Sequence, residues 1–77
     1  MATPRKCTAV DIKLGEQLRG LRQKTGMSQA ELGASIGVSF QQIQKYEAGK
    51  NRVAVSTMLA LADHLGISPA RFLRGIA

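Results

Sequence analysis

Apolar residues recur along this chain at intervals of three and four, the spacing that places side chains on one face of an α-helix. We expect the first helix to begin at Val10 or Asp11 and to end at Thr25. Its predicted core positions are Leu14, Leu18 and Leu21. No sustained alternation of apolar and polar residues, the pattern of a half-buried strand, occurs in the sequence. The pattern therefore predicts an all-α fold.

Two short helices joined by a tight turn are predicted in the middle of the chain. Ser28 with Glu31 and Ser39 with Gln42 each form a capping box, in which side chains satisfy free backbone N–H groups at a helix start. Gly37 lies between them and suits the left-handed conformation that ends many helices. The resulting turn of about three residues has the spacing of a helix-turn-helix.

Two more helices are predicted after Gly49. The fourth helix is indicated by apolar residues at Val55, Met58, Leu59, Ala62 and Leu65. It ends at Gly66, and Ser68 followed by Pro69 is typical of a further helix start. Together these elements predict a compact bundle of five short helices, in which helices 2 and 3 form the helix-turn-helix.

The second motif helix has an uncovered side, opposite to Ile43 and Tyr46. Its side chains are Ser39, Phe40, Gln41, Gln44 and Lys45. Glutamine amides pair with adenine edges, lysine suits guanine, and an apolar ring can meet a thymine methyl group. A solvated helix face is the alternative. Because both caps, the turn and the core positions fit one motif, we favour reading of DNA bases.

The 77 residues leave room for one domain, and eleven Lys and Arg against five Asp and Glu give a net charge of +6. Such a basic domain suits nucleic acid, although an anionic membrane or an acidic protein would also attract it. We expect residues 1–9 to be a flexible basic arm and residues 10–77 to be the domain. With no long apolar run and no apolar signal segment, a cytoplasmic protein without a membrane partner is expected.

Residues that would support catalysis or metal binding are scarce. Cys7 is the only cysteine, so an internal disulfide is impossible. His64 is the only histidine, and we interpret it as a surface residue. No Cys/His cluster, phosphate-binding glycine loop or paired nucleophile and base is present. We therefore expect no metal, no cofactor and no enzymatic activity.

The motif residues resemble a known family, the Cro/C1-type (XRE) helix-turn-helix regulators of phage and bacteria. The likeness rests on S-Q-A-E-L-x-x-x-I-G-V-S from Ser28 to Ser39 and on I-x-x-x-E-x-G from Ile43 to Gly49. It implies a lambda-repressor-like DNA-binding domain, encoded by a bacterium or phage, that binds double-stranded DNA. Phe40 departs from the family, which often has a polar residue at this position.

The resemblance also implies roles for residues outside the second motif helix. Gln29 would contact the DNA backbone at the start of helix 2. The loop residues with donors suited to phosphate oxygens are Lys50, Asn51 and Arg52. Arg22 would form an internal ion pair with Glu47. A phosphate contact or a free surface arginine is the alternative for Arg22.

A module of this size commonly doubles its contact area as a homodimer on a palindromic operator. Apolar residues near the C-terminus are candidates for the dimer seam, namely Phe72, Leu73 and Ile76. A repressor is the function we favour. A restriction-modification controller and an antitoxin with a toxin partner fit the same residues. A protein-interaction or membrane-surface module, whose charge is incidental, is the rival from another class.

Overall fold

The computed structural model describes residues 8–74, which form a bundle of five α-helices. The helices are α1 (Ala9–Thr25), α2 (Gln29–Ile36), α3 (Phe40–Glu47), α4 (Val55–Leu65) and α5 (Pro69–Leu73). The predicted five-helix order is confirmed. Within residues 8–74, no helix has both the length and the apolar character needed to cross a bilayer.

Helix α1 begins earlier than the sequence pattern predicted. Thr8 is the N-cap and Ala9 the first helical residue, so both belong to the domain and not to the predicted arm. The Asp11 carboxylate accepts hydrogen bonds from the Thr8 amide at 2.6 Å and from its hydroxyl at 3.0 Å. The hydrogen bond from the Thr8 backbone amide is the main cause of the lowered pKa of the Asp11 carboxyl group. Residues 1–7 of the arm lie outside the described residues.

The turn between α2 and α3 follows the predicted cap chemistry in part. Gly37 takes the left-handed conformation, with φ of 79°. The first capping box is complete, since the Glu31 amide donates to the Ser28 hydroxyl at 2.9 Å and the Ser28 amide donates to the Glu31 carboxylate at 2.8 Å. That second bond lowers the pKa of Glu31. At Ser39 only half of the predicted box forms, because its hydroxyl accepts from the Gln42 amide without a return bond from the Gln42 side chain.

All five helices contribute to one hydrophobic core. Its buried members are Leu14, Leu18, Leu21, Leu32, Ile43, Met58, Leu61, Ala62, Leu65 and Phe72. The core prediction for α4 was partly wrong, since Val55 and Leu59 are exposed and Leu61 is buried. Val55 is the first residue of α4, so it lies at the N-terminal end of the helix, where it is exposed. Leu59 lies beside the stripe that actually faces the other helices, which runs from Met58 to Leu65.

Phe72 also has a different place from the one predicted. It is 1% exposed and belongs to the core, so it offers no exposed surface for a dimer seam. The short helix α5 packs against α1 and α4, and its aromatic ring provides the buried anchor. A hydrogen bond also connects α1 with α5, because the side-chain amide of Gln17 donates to the Arg71 carbonyl at 3.0 Å. Leu73 remains exposed, and Ile76 lies outside the described residues.

Candidate nucleic-acid interface

Helix α3 presents one exposed side, which we call the outer face. It consists of four residues of α3 and the C-cap residue after it, namely Phe40, Gln41, Gln44, Lys45 and Ala48, all of them exposed and spaced as neighbours on one helix face. The opposite side buries Ile43 and Glu47. The structure therefore places four of the five predicted base-reading residues together. Ser39 lies beside them as the exposed N-cap, with its hydroxyl oxygen already accepting a backbone bond at 3.1 Å.

Two grooves flank the outer face. The larger has a volume of about 500 Å³ and is lined by Arg19, Arg22, Ser28, Gln29, Gln44, Glu47 and Ala48. The smaller, of about 330 Å³, is lined by Gln41, Gln44, Lys45, Ala48 and Lys50. Gln44 and Ala48 border both grooves and so form the ridge between them.

A bidentate ion pair fixes α1 to the end of α3. Arg22 Nε donates to Glu47 Oε2 at 2.6 Å, and Arg22 Nη2 donates to Glu47 Oε1 at 3.1 Å. A third donor, Arg22 Nη1, reaches the Met27 carbonyl at 2.9 Å. The side chains are only 12% and 4% exposed, and the bonds to Glu47 raise the pKa of Arg22. Arg22 is therefore engaged inside the protein.

Gln29 begins α2 and shares the carboxylate of this pair. Its amide nitrogen donates to Glu47 Oε1 at 3.0 Å. Because a glutamine amide carries two hydrogens, one N–H donor stays available after this bond forms. The carboxylate thus holds Gln29 in position at a helix N-terminus, where free backbone N–H groups and the helix dipole favour an anion.

Arg19 is a groove residue that was not among the predicted site residues. It is exposed, and it lines the same groove as Gln29 and Ser28. Its position one helical turn before Arg22 was the available signal, since residues three apart share a helix face. The larger groove therefore has a cationic wall in addition to the start of α2.

The predicted phosphate-binding residues in the loop after α3 do not all lie in the same surroundings. Lys50 and Asn51 are exposed, and Lys50 borders the smaller groove beside the outer face. Arg52 instead makes an ion pair with Asp11, with 3.4 Å between its Nε and the Asp11 Oδ2. This pair links the loop to the start of α1. The sequence pattern gave no sign of it, because the two residues are distant in sequence.

Gly15 determines how closely α1 crosses the end of α3. A Cβ atom at this position would overlap the Tyr46 carbonyl oxygen and would lie 2.8 Å from the Glu47 carbonyl oxygen. Only glycine permits this approach without a backbone shift. Gly15 was not among the predicted site residues, although a glycine within a buried leucine stripe was the sign of it.

Metal ligands are not gathered anywhere between Thr8 and Arg74. No group of three or more His, Cys, Asp or Glu side chains in that range could hold an ion. His64 is exposed at the end of α4.

Comparison with known proteins finds helix-turn-helix proteins. A family model described as helix-turn-helix matches residues 18–72. Among curated proteins, the chain is similar to an uncharacterized HTH-type transcriptional regulator, y4aM, of Sinorhizobium fredii. The identity is 48% over 67 residues, which are 87% of this chain and 47% of that protein. The chain spans about half the length of these curated relatives.

Two solved structures show the same arrangement of helices. The restriction-modification controller protein C.AhdI from Aeromonas hydrophila has a TM-score of 0.80 and 32% identity, covering 84% of this chain and 98% of that chain. The P22 c2 repressor, in complex with a synthetic operator, has a TM-score of 0.73 and 35% identity. That match covers 80% of this chain and 94% of the repressor chain.

Proposed function

This chain belongs to the Cro/C1-type (XRE) helix-turn-helix family of transcriptional regulators, and we propose that it binds a specific sequence of double-stranded DNA through the outer face of α3. Its five-helix fold is that of a lambda-repressor-like DNA-binding domain. The observation that carries the proposal is the outer face itself. It offers amide and ammonium groups on a helix whose opposite side is locked to α1.

In this proposal α3 lies in the major groove, which is wide enough to admit a helix. Gln41 and Gln44 are suited to adenine edges, and Lys45 to the acceptors of guanine. Ser39 can still donate its hydroxyl hydrogen, because its oxygen serves only as acceptor to the backbone. Ala48 has a short side chain, so the end of the ridge can come close to the duplex.

Phosphate contacts would flank these bases on both sides. Gln29 and Arg19 would hold one strand from the larger groove, with Gln29 positioned by Glu47. Lys50 and Asn51 would hold the backbone from the smaller groove. Arg52 can contribute at longer range while it remains paired with Asp11. Such contacts set the position of the protein on DNA and carry little sequence information.

The finer role that we propose is a repressor that acts as a homodimer on a palindromic operator. Two-fold symmetry would place the half-sites roughly 34 Å apart on one face of the duplex. Of the residues first considered for the seam, Leu73 is 49% exposed and stays a candidate together with Ile76. Occupancy of the operator requires no catalytic group.

A restriction-modification controller is a second candidate. It is favoured by the similarity to C.AhdI, because the match takes in 98% of that chain. Both roles require the same DNA-binding surface. The genes that lie next to the bound sites would separate them.

Selection from a random duplex library, followed by competition, tests the proposed function. We expect an enriched sequence whose complex survives an excess of random duplex, since specific binding exceeds non-specific binding by roughly a thousandfold or more. Salt dependence would discriminate poorly, because every cationic binder weakens as salt rises. Equal loss of the complex to random duplex or to anionic vesicles would favour the rival class, in which the basic charge is incidental.

A further inference from the structure

Phe40 is the large apolar side chain on the outer face of α3. It lies outside the hydrophobic core of the described residues and is 45% exposed. It is also the first residue of α3, directly after the N-cap Ser39, whose hydroxyl accepts from the Gln42 amide. The helix start is therefore held firmly. Covering an exposed phenyl ring with an apolar partner is favourable, because it removes apolar surface from water.

The major groove offers few partners for such a ring. Base-pair edges there present hydrogen-bond donors and acceptors, and the C5-methyl group of thymine is the apolar feature among them. A phenyl ring has no donor or acceptor, so it would leave a polar base edge unsatisfied. The neighbouring Gln41, Gln44 and Lys45 carry the groups that suit polar edges. The outer face thus combines one large apolar side chain with three polar ones and the small Ala48.

We propose that Phe40 is a specificity-determining residue that recognises the C5-methyl group of a pyrimidine, an inference that rests on the proposed function. Cytosine methylated at C5 presents the same methyl group at the same place in the major groove. The position that faces Phe40 therefore accepts thymine or 5-methylcytosine and disfavours unmodified cytosine. Where an operator has cytosine at that position, methylation strengthens binding.

Replacement of thymine by deoxyuridine tests this directly, because it removes one methyl group and leaves base pairing intact. Each thymine of the duplex recovered by selection is replaced in turn. We expect one position in each half-site to weaken binding by about fourfold, the effect of one buried methyl group. In Phe40→Ala this difference between thymine and deoxyuridine should disappear. Phe40→Leu, which stays apolar, and Gln41→Ala should both retain it.

A second arm uses methylated cytosine at the same position. Changing the sensitive thymine·adenine pair to cytosine·guanine should weaken binding, and methylating that cytosine at C5 should recover part of the loss. Phe40→Ala should show no recovery. Because Phe40 lies outside the core, the variant should keep the melting temperature within a few degrees, which separates this result from misfolding.

Two results would overturn the inference while leaving the proposed function intact. One is a selected duplex in which no thymine discriminates against deoxyuridine, although Gln41→Ala alters the selected bases. The other is discrimination that persists unchanged in Phe40→Ala. If no sequence is enriched at all, the proposed function fails, and this inference fails with it.

Discussion

Replacing Glu47 with alanine should lower the free energy of unfolding by about 3 kcal/mol, the usual cost of removing one partner from a buried ion pair. Glu47 accepts two bonds from Arg22 and one from Gln29, and its side chain is only 4% exposed. The substitution would leave the guanidinium largely buried and without a counter-charge. Urea denaturation followed by circular dichroism measures the loss.

Glu16→Ala is the matched control, since Glu16 is an exposed carboxylate on α1. Its effect should stay within about 0.5 kcal/mol. A double-mutant cycle with Arg22→Met then isolates the coupling between the two charges. If Glu47→Ala were as stable as the parent protein, the ion pair would not lock α1 to α3, and the orientation of the outer face would need another explanation.

Gly15→Ala should destabilise the domain by about 1–3 kcal/mol, the typical cost of forcing an extra carbon into a packed contact. In a free helix the same change would stabilise, by up to about 1 kcal/mol. The sign reverses here because the new Cβ would overlap the Tyr46 carbonyl oxygen. The end of α3 would have to move away from α1. The measurement is again the midpoint of urea denaturation.

Gly20→Ala is a control in the same helix. A Cβ atom at Gly20 would meet nothing within 4 Å, and the residue is exposed. We expect this variant to be more stable than the parent by about 0.5–1 kcal/mol. Opposite signs for the two glycines would support the close crossing. Stabilisation by both substitutions would contradict it.

The helix ends and the buried side of α1 could be predicted, because they depend on residues close together in the sequence. Ser28 with Glu31 and the left-handed Gly37 act through backbone groups only a few residues away. The spacing of Leu14, Leu18 and Leu21 likewise reports the buried side of α1 without knowledge of its neighbours. Local chemistry of this kind does not depend on how the helices are arranged.

Errors occurred where burial depends on the neighbouring helices. Leu59 has the helical spacing of a core residue, yet it lies just beside the stripe of α4 that contacts the other helices, and Leu61 is buried instead. Phe72 is apolar and near the C-terminus, features that fit a dimer surface as well as a core. Its burial follows from the packing of α5 on α1 and α4, which periodicity cannot reveal.

The candidate site shows the same division. The outer face follows from helical spacing alone, once Ile43 is taken as the buried side of α3. The ion pair of Arg22 with Glu47 came only from family resemblance, because 25 residues separate them. The bond from Gln29 to Glu47 and the pairing of Arg52 with Asp11 are contacts between elements, and no sequence signal announced them.

The central claim is that the outer face of α3 reads bases while the flanking residues hold phosphates. Selection from a random duplex library with two variants tests it most directly. Gln41→Ala alters the outer face, and Lys50→Ala alters a flank. Lys50 is preferred to Arg52 for this purpose, because Arg52→Ala would also remove the ion pair with Asp11.

We expect Gln41→Ala to select a different base at one position in each half-site, a change in discrimination of about 1–3 kcal/mol. Lys50→Ala should select the same sequence as the parent protein and bind every site more weakly by a similar factor. Recovery of the parent sequence by Gln41→Ala, with unchanged preference at every position, would contradict base reading by the outer face.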